Sequence, residues 1–468
     1  MVDSSLKLLF KPSMFNYFYE NEDGELVIYN SYLGLQKSIK FKNHKQLVKK
    51  ILTNKVISED IFDKEEFFIA KGLYERGFLV EKEKDEKNLR FIKNFTRKAN
   101  NSLLFVIHTT KNCNFRCKYC ALDFCRDNLH KSSELGIINY IEKNIKNYNS
   151  ISFSWFGGEP LLNMKSIEFL SKKVIEICNL YKIPYRSSIT TNGYLLSPNI
   201  INELINYKVF RIVITIDGIK NTHDSLRVLA DGSPTFDKII NNLKFLRDNV
   251  KDRRLRIIIR TNFTKKSFEK IDEYYSFFDK EFGHDKRFSL FARIAGDWGG
   301  ERVKEISSNL LDNNSYNFIL KKISNLKGNI KFLLNCEDID MGGYCNANYL
   351  NKFTIGVDGL ISKCDSSDKE ISIGKLNENG LMDIDFDEYS KWLNNLKYVD
   401  EKCDNCFYSI NCNFCSCPKI IAKYKRKSCV LEDLDLKELI NLYDKSYGIN
   451  FVDNQFNMDG VKDEKIRN

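Results

Sequence analysis

The segment Cys113-Asn-Phe-Arg-Cys117-Lys-Tyr-Cys120 places three thiols on one short stretch of chain. Three thiolates can hold three irons of a 4Fe–4S cluster and leave the fourth without a protein ligand, whereas ordinary electron-transfer clusters use four cysteines. An open iron can take a chelating small molecule. Zinc is the competing reading, but it asks for four ligands, usually from paired CxxC or His units, and no partner pair lies nearby. A second concentration of thiols begins at Cys345. It continues through Cys364, Cys403, Cys406, Cys412, Cys415, Cys417-Pro418 and Cys429. A four-cysteine zinc ribbon uses similar spacings and stands as the alternative there.

The 14 cysteines are unevenly spread: none precedes Cys113, five lie between Cys113 and Cys178, and nine between Cys336 and Cys429. A disulfide scaffold would not leave the first 112 residues empty; two separate metal-binding regions would. Cys125 and Cys178 read as small buried apolar residues. His108, in a strand pattern, reads as structural.

Elements must position these thiols. From Leu103, apolar runs at 103–108, 151–156, 186–190, 209–216, 255–261 and 287–294 alternate with helical periods near 132–146, 165–181, 197–206, 236–249 and 266–282. This is the pattern of a parallel sheet covered by helices. Six strands are too few for a closed eight-strand barrel, so an open barrel or a doubly wound sheet is expected, with ligands at the carboxyl ends of the strands. The first 80 or so residues read as a small α/β unit: strands at 15–20, 26–30 and 36–41, helices near 43–53 and 63–76, and a closing strand at 77–80. Residues 81–101 read as a charged linker, 430–445 as a helix, and the chain from 449 as a poorly ordered polar tail.

The 468 residues have a globular composition, 43% hydrophobic and 29% charged, with a formal net charge of +10. No apolar run is long enough to span a bilayer. No signal peptide is recognisable, so a cytoplasmic protein without a membrane role is expected. No arginine-rich block or stacking signature points to nucleic acid. The positive charge suits solubility or an acidic partner.

The CxxxCxxC spacing with Tyr119 before the last cysteine resembles the radical S-adenosylmethionine (SAM) superfamily. More residues join the match at successive strand ends: Trp155-Phe156-Gly157-Gly158-Glu159-Pro160, Thr191-Asn192-Gly193, Thr215-Ile216-Asp217-Gly218, His223-Asp224 with Arg227, then Arg260 and Asn262. The resemblance covers roughly residues 103–295. It implies a cluster on Cys113, Cys117 and Cys120. It also implies SAM contacts from Tyr119, Gly157, Gly158, Glu159, Pro160, Asn192, Thr215, Arg227 and Arg260, with Glu159 on the SAM amino group. SAM cleavage to a 5′-deoxyadenosyl radical, with an electron from a flavodoxin or ferredoxin, would follow.

The later cysteines resemble a SPASM domain with two auxiliary 4Fe–4S clusters. That resemblance implies Cys403, Cys406, Cys412 and Cys429 on the outer one and Cys345, Cys364 and Cys417 on the inner one, with Cys415 an alternative to Cys417. Asp365 stands where sulfatase maturases of this type carry a catalytic base. The N-terminal unit resembles a winged-helix-like PqqD or RiPP-recognition (RRE) domain, which binds a precursor's leader peptide as an added strand; a structural cap is the alternative.

The implied fold is α/β: a partial (β/α)6 radical SAM barrel (100–300) behind a recognition domain (1–92). A helical connector (301–335), a SPASM domain (336–448) and a tail (449–468) follow. The implied activity is maturation of a ribosomal precursor peptide by a thioether crosslink of the sactionine or ranthipeptide type. If Cys336 does not complete the inner cluster, an open iron there would hold a substrate cysteine for that bond. A formylglycine-generating, sulfatase-maturase-like enzyme and a non-catalytic iron–sulfur protein are the alternatives.

Overall fold

The computed structural model describes residues 9–99, 101–120, 122, 124–296, 301–311, 315–332, 346–365, 372–393, 401–412, 429, 431 and 435–455. Cys336, Cys345, Cys415 and Cys417 lie outside the described residues.

The first unit opens with β1 (Phe10–Pro12) and a meander of β2 (Asn16–Glu20), β3 (Leu26–Asn30) and β4 (Ile39–Phe41). Helices Lys45–Thr53 and Lys64–Glu75 follow, the second started by a reciprocal Asp63/Glu66 capping box. β5 (Leu79–Glu81) returns to pair antiparallel with β1. β3 is buried along its whole length. Its alternation sends Leu26 and Ile28 into the unit's own core and Val27 and Tyr29 into the main core. The expected linker is instead a helix, Lys87–Lys98. Its many charges masked it, yet Arg90 is buried and paired with Asp404 at 3.2 Å.

Six parallel strands follow: β6 (Ser102–Thr110), β7 (Ser150–Gly157), β8 (Tyr185–Thr191), β9 (Val209–Thr215), β10 (Arg256–Phe263) and β11 (Phe288–Ile294). They lie side by side in chain order. With such an order, right-handed crossovers, the rule for parallel neighbours, would set the connecting helices on one face. The order runs through all six strands without the reversal that marks a doubly wound sheet, so the doubly wound alternative falls and the open barrel remains. One stripe of each strand, such as Phe153 and Trp155 of β7, packs against the helices. The expected 266–282 helix is broken at Lys270 into Lys265–Glu269 and Ile271–Phe282. A short helix, Lys220–Leu226, was not anticipated.

The barrel does not close. β12 (Lys331–Phe332), within the expected helical connector, extends the β11 edge. At the other edge β13 (Lys352–Ile355) pairs parallel with β6. β14 (Leu360–Ser362), β15 (Ser372–Leu376) and β16 (Met382–Ile384) then continue antiparallel, making an eleven-stranded sheet. The barrel helix Lys131–Asn144 docks on this extension: a Cβ at Gly136 would lie 2.4 Å from the Asn377 carbonyl oxygen.

The start of the expected tail is ordered. After helix Leu436–Tyr447, β17 (Asn450–Phe451) pairs parallel with β4. Val452 is buried in the N-terminal core, and Asp453 accepts from the backbone N–H groups of Lys42, Asn43 and His44 at 2.7–3.3 Å. Among the described residues no helix is long and apolar enough to cross a membrane.

Candidate active site

Every strand from β6 to β10 delivers a polar group at its carboxyl end. The three-thiol loop leaves β6 and is held by backbone bonds to the segment after helix Lys220–Leu226. Lys118 N donates to Leu226 O (3.0 Å), Arg116 N to Val228 O (2.8 Å) and Ala230 N to Asn114 O (2.9 Å). Cys113 and Cys117 are buried, and Cys120 is partly so. Burial pushes the Cys113 thiol up to about 12 and the Cys117 thiol up to about 11; Arg227 acts against both rises. Thiols in such a dry place ionise when a metal supplies the compensating charge. Among the described residues no three His, Cys, Asp or Glu side chains converge to hold a single metal ion.

Gly157 and Gly158 make their close approach to the chain itself. Gly158 N donates to Thr110 O and Glu159 N to Asn112 O, both at 2.9 Å. A Cβ at Gly157 would sit 2.4 Å from Thr110 O and one at Gly158 2.1 Å from Asn112 O. The glycines therefore let the end of β7 lie against the root of the cysteine loop. Glu159 is fully buried and accepts from Thr191 Oγ1 (2.7 Å), Asn192 N (2.7 Å) and Leu161 N (3.1 Å). Burial still holds its carboxyl above the ordinary range. Its two oxygens thus tie β7 to β8, a task the sequence did not reveal. Asn192 in turn donates to Asn114 of the cysteine loop at 2.7 Å. Pro160 accepts from Thr109 at 3.2 Å.

Tyr119 is anchored by a buried network. Its hydroxyl bonds Asp217 and accepts from Arg227 Nη1 (2.7 Å) and Asn262 Nδ2 (3.1 Å). Asp217 also accepts from Asn262 N at 2.8 Å, and its own N–H donates to His223 Nδ1 at 3.2 Å. The sequence showed Asp217, His223 and Asn262 within motifs but gave them no role. Arg260 donates to Thr215 Oγ1 at 2.9 Å. The Nε atoms of Arg227 and Arg260 are buried with no hydrogen-bond partner among the described residues. Two orphaned guanidinium donors beside a three-thiol loop suit a small molecule that carries a carboxylate.

Asp365 lies beyond β14 and beside the barrel, its carbonyl 3.1 Å from His108 Nε2. Its carboxylate pairs with the buried Lys352 ammonium at 2.5 Å. Lys352, which opens β13, and Lys363, just past β14, are both buried and escaped notice because lysine reads as solvent-facing. Cys403, Cys406, Cys412 and Cys429 are elsewhere, against the N-terminal unit. Arg90 donates to Cys403 O at 3.2 Å, and Tyr17 stacks on Phe407 at 4.9 Å. Burial raises the Cys406 thiol, and Cys429 and Cys403 are near enough to add to the effect. Cys178 is buried as expected, but Cys125 is exposed.

Residues 107–275 match the Radical SAM superfamily. Over residues 107–275 the chain carries a radical SAM domain, the class of enzyme domain that uses a 4Fe–4S cluster and SAM. Among curated relatives, a cysteine-type anaerobic sulfatase-maturating enzyme of Clostridium novyi is 26% identical over 325 residues, 64% of this chain and 83% of that protein. The radical SAM cyclopropyl synthase TigE of Paramaledivibacter caminithermalis is 29% identical over 208 residues, 39% of this chain and 41% of its own length. The solved structure of native anSMEcpe with bound AdoMet superposes with a TM-score of 0.55 at 18% identity, over 73% of this chain and 96% of that one. It has the same α/β fold with a large parallel sheet.

Proposed function

We propose that this enzyme matures a peptide and that its product is a thioether crosslink. The three-thiol loop carries the reading, seated on the Tyr119–Asp217–Arg227 network beside two orphaned guanidinium donors. When bound, the cluster and SAM supply one-electron sulfonium cleavage and hydrogen-atom abstraction. The chain's own part is to hold and exclude. Cys113, Cys117 and Cys120 would ligate the cluster, and Arg227 and Arg260 would take a carboxylate. Gly157 and Gly158 let two loops close over each other, and burial keeps water from the site.

Residues 336–448 would form a SPASM domain, its outer cluster on Cys403, Cys406, Cys412 and Cys429 and its inner one on Cys345, Cys364 and Cys417 or Cys415. Residues 1–92 would recognise the precursor's leader, and flavodoxin or ferredoxin would be the reductant. The edge of β4, where a leader could add, carries β17, so strand addition there requires displacing it.

The match across 83% of a sulfatase-maturating enzyme supports a second reading, formylglycine formation with Asp365 as base. Anaerobically reconstituted enzyme, dithionite, SAM and a synthetic cysteine peptide separate the two. A thioether keeps sulfur, loses two hydrogens and blocks alkylation; formylglycine loses the sulfur. Absence of 5′-deoxyadenosine under all conditions would sink both.

A further inference from the structure

The six barrel strands contain no aspartate, glutamate or lysine, but they carry five arginines: Arg186, Arg211, Arg256, Arg260 and Arg293. All five fall on the face opposite the helices, because their strand neighbours Ser187, Ile212, Ile257, Ile259 and Ala292 are the buried, helix-facing residues. Arg186, Arg211, Arg256 and Arg293 are exposed there. Arg211 and Arg256 are direct register partners on adjacent strands. Like charges opposite one another destabilise a sheet. Arg256 Nη1 donates to the carbonyls of Arg253 and Leu255, both at 2.8 Å, and Arg186 Nε to Ser152 Oγ at 3.5 Å; these bonds use one nitrogen of each guanidinium. Asp252 and Asp285, on the turns entering β10 and β11, are held by Arg254 and Arg287. Among the described residues no carboxylate pairs with Arg186, Arg211 or Arg256.

We propose that this inner face is a groove for an acidic stretch of the substrate peptide, bound in extended form, with Arg186, Arg211 and Arg256 as its carboxylate receptors. The proposal rests on the maturase reading and adds the chemistry of the substrate. Arg256 precedes Arg260 by four residues, about 13 Å along a parallel strand. An extended peptide covers that span in about four residues. Asp or Glu residues therefore belong roughly four or five positions from the residue that reacts at the carboxyl ends of the strands. Serine hydroxyls at 152, 154 and 188 line the same face and can bond the peptide backbone. An acidic redox protein is the other candidate for so basic a surface. A curled inner face admits one extended chain more readily than a globular domain.

The test uses the full-length, anaerobically reconstituted enzyme and two fluorescein-labelled peptides. One has a cysteine followed after three residues by four glutamates; in the other the glutamates are glutamines. At low salt the glutamate peptide is expected to bind about tenfold more tightly. The triple variant R186Q/R211Q/R256Q should abolish that preference, with dithionite-driven SAM cleavage unchanged. Equal binding of both peptides to the parent enzyme, or a preference that survives the triple substitution, overturns the proposal. So does a variant that slows reduction by flavodoxin while keeping the peptide preference, which would assign the surface to the reductant. An enzyme that prefers the glutamate peptide but never cleaves SAM would sink the maturase reading and leave the acidic groove standing.

Discussion

At the scale of single residues, the site depends on a few atoms that share partners. Tyr119 joins the cysteine loop to Asp217, Arg227 and Asn262. Tyr119→Phe keeps the ring and removes the hydroxyl, leaving buried charged groups short of a partner. Stability should fall by about 1–3 kcal/mol, read from urea unfolding. Gly158→Ala tests the close approach of two loops. Its Cβ would meet Asn112 O at 2.1 Å, so the loop must shift. Reconstituted protein should then lose about four irons while the thiols at 403–429 keep theirs.

His108 gives a pH dependence with a definite sign. Burial pushes its imidazole down to about 4, against the opposing influence of Asp365. The folded state therefore binds fewer protons than the unfolded chain, whose histidine titrates near 6.5. Stability attributable to His108 is full above that value and is lost as the pH falls toward 4. The loss should reach roughly 3 kcal/mol. His108→Gln should flatten the urea midpoint between those pH values; an unchanged slope would clear His108 of the effect.

At the scale of elements, two docking points invite a test. Helix Lys131–Asn144 meets the β15–β16 turn through Gly136 and Gly380, and Asn139 and Lys143 each donate to a carbonyl of that turn at 2.7 Å. Gly136→Val should pry the β13–β16 extension from the barrel. Hydrogen exchange would then rise over residues 352–384 and stay low over β8–β10. The second point is Asp453. Burial pushes its carboxyl up, but the N–H donors of Lys42, Asn43 and His44 and the His44 ring together pull it below the ordinary aspartate value. Its contribution is thus present above the unfolded value near 4 and is lost as the pH falls through the lower folded one. Asp453→Asn should release β17 at neutral pH, with faster proteolysis after residue 448 and a bare β4 edge.

At the scale of the whole molecule, the N-terminal unit supports a cluster site as well as offering a sheet. Tyr17 stacks on Phe407, Asn411 donates to Ser31 O at 2.7 Å, and Arg90 spans to Asp404. Deleting residues 1–99 should therefore remove about four irons from the 403–429 region. The three-thiol loop, seated on the 226–230 segment, should keep its own and still cleave SAM. Full iron retention after the deletion would show that the N-terminal unit is dispensable for the outer thiols.

What the sequence determined by itself was local. Cysteine spacing in the 113–120 loop, glycines before Glu159 and the period-2 stripes of six strands are short-range signals, because ligand loops and strand faces are set by neighbours in the chain. It also sufficed for the order of the six barrel strands and of most helices between them. Only the tertiary structure decided that the six strands lie in unbroken chain order, that β13 and β17 complete edges far away in sequence, and that Glu159 ties two strands together. It alone showed that Arg211 and Arg256 face each other. Those features depend on pairings between residues tens to hundreds of positions apart. A charged residue such as Lys352, Arg90 or Arg211 carries no local mark of whether folding will bury it, pair it or line a groove with it.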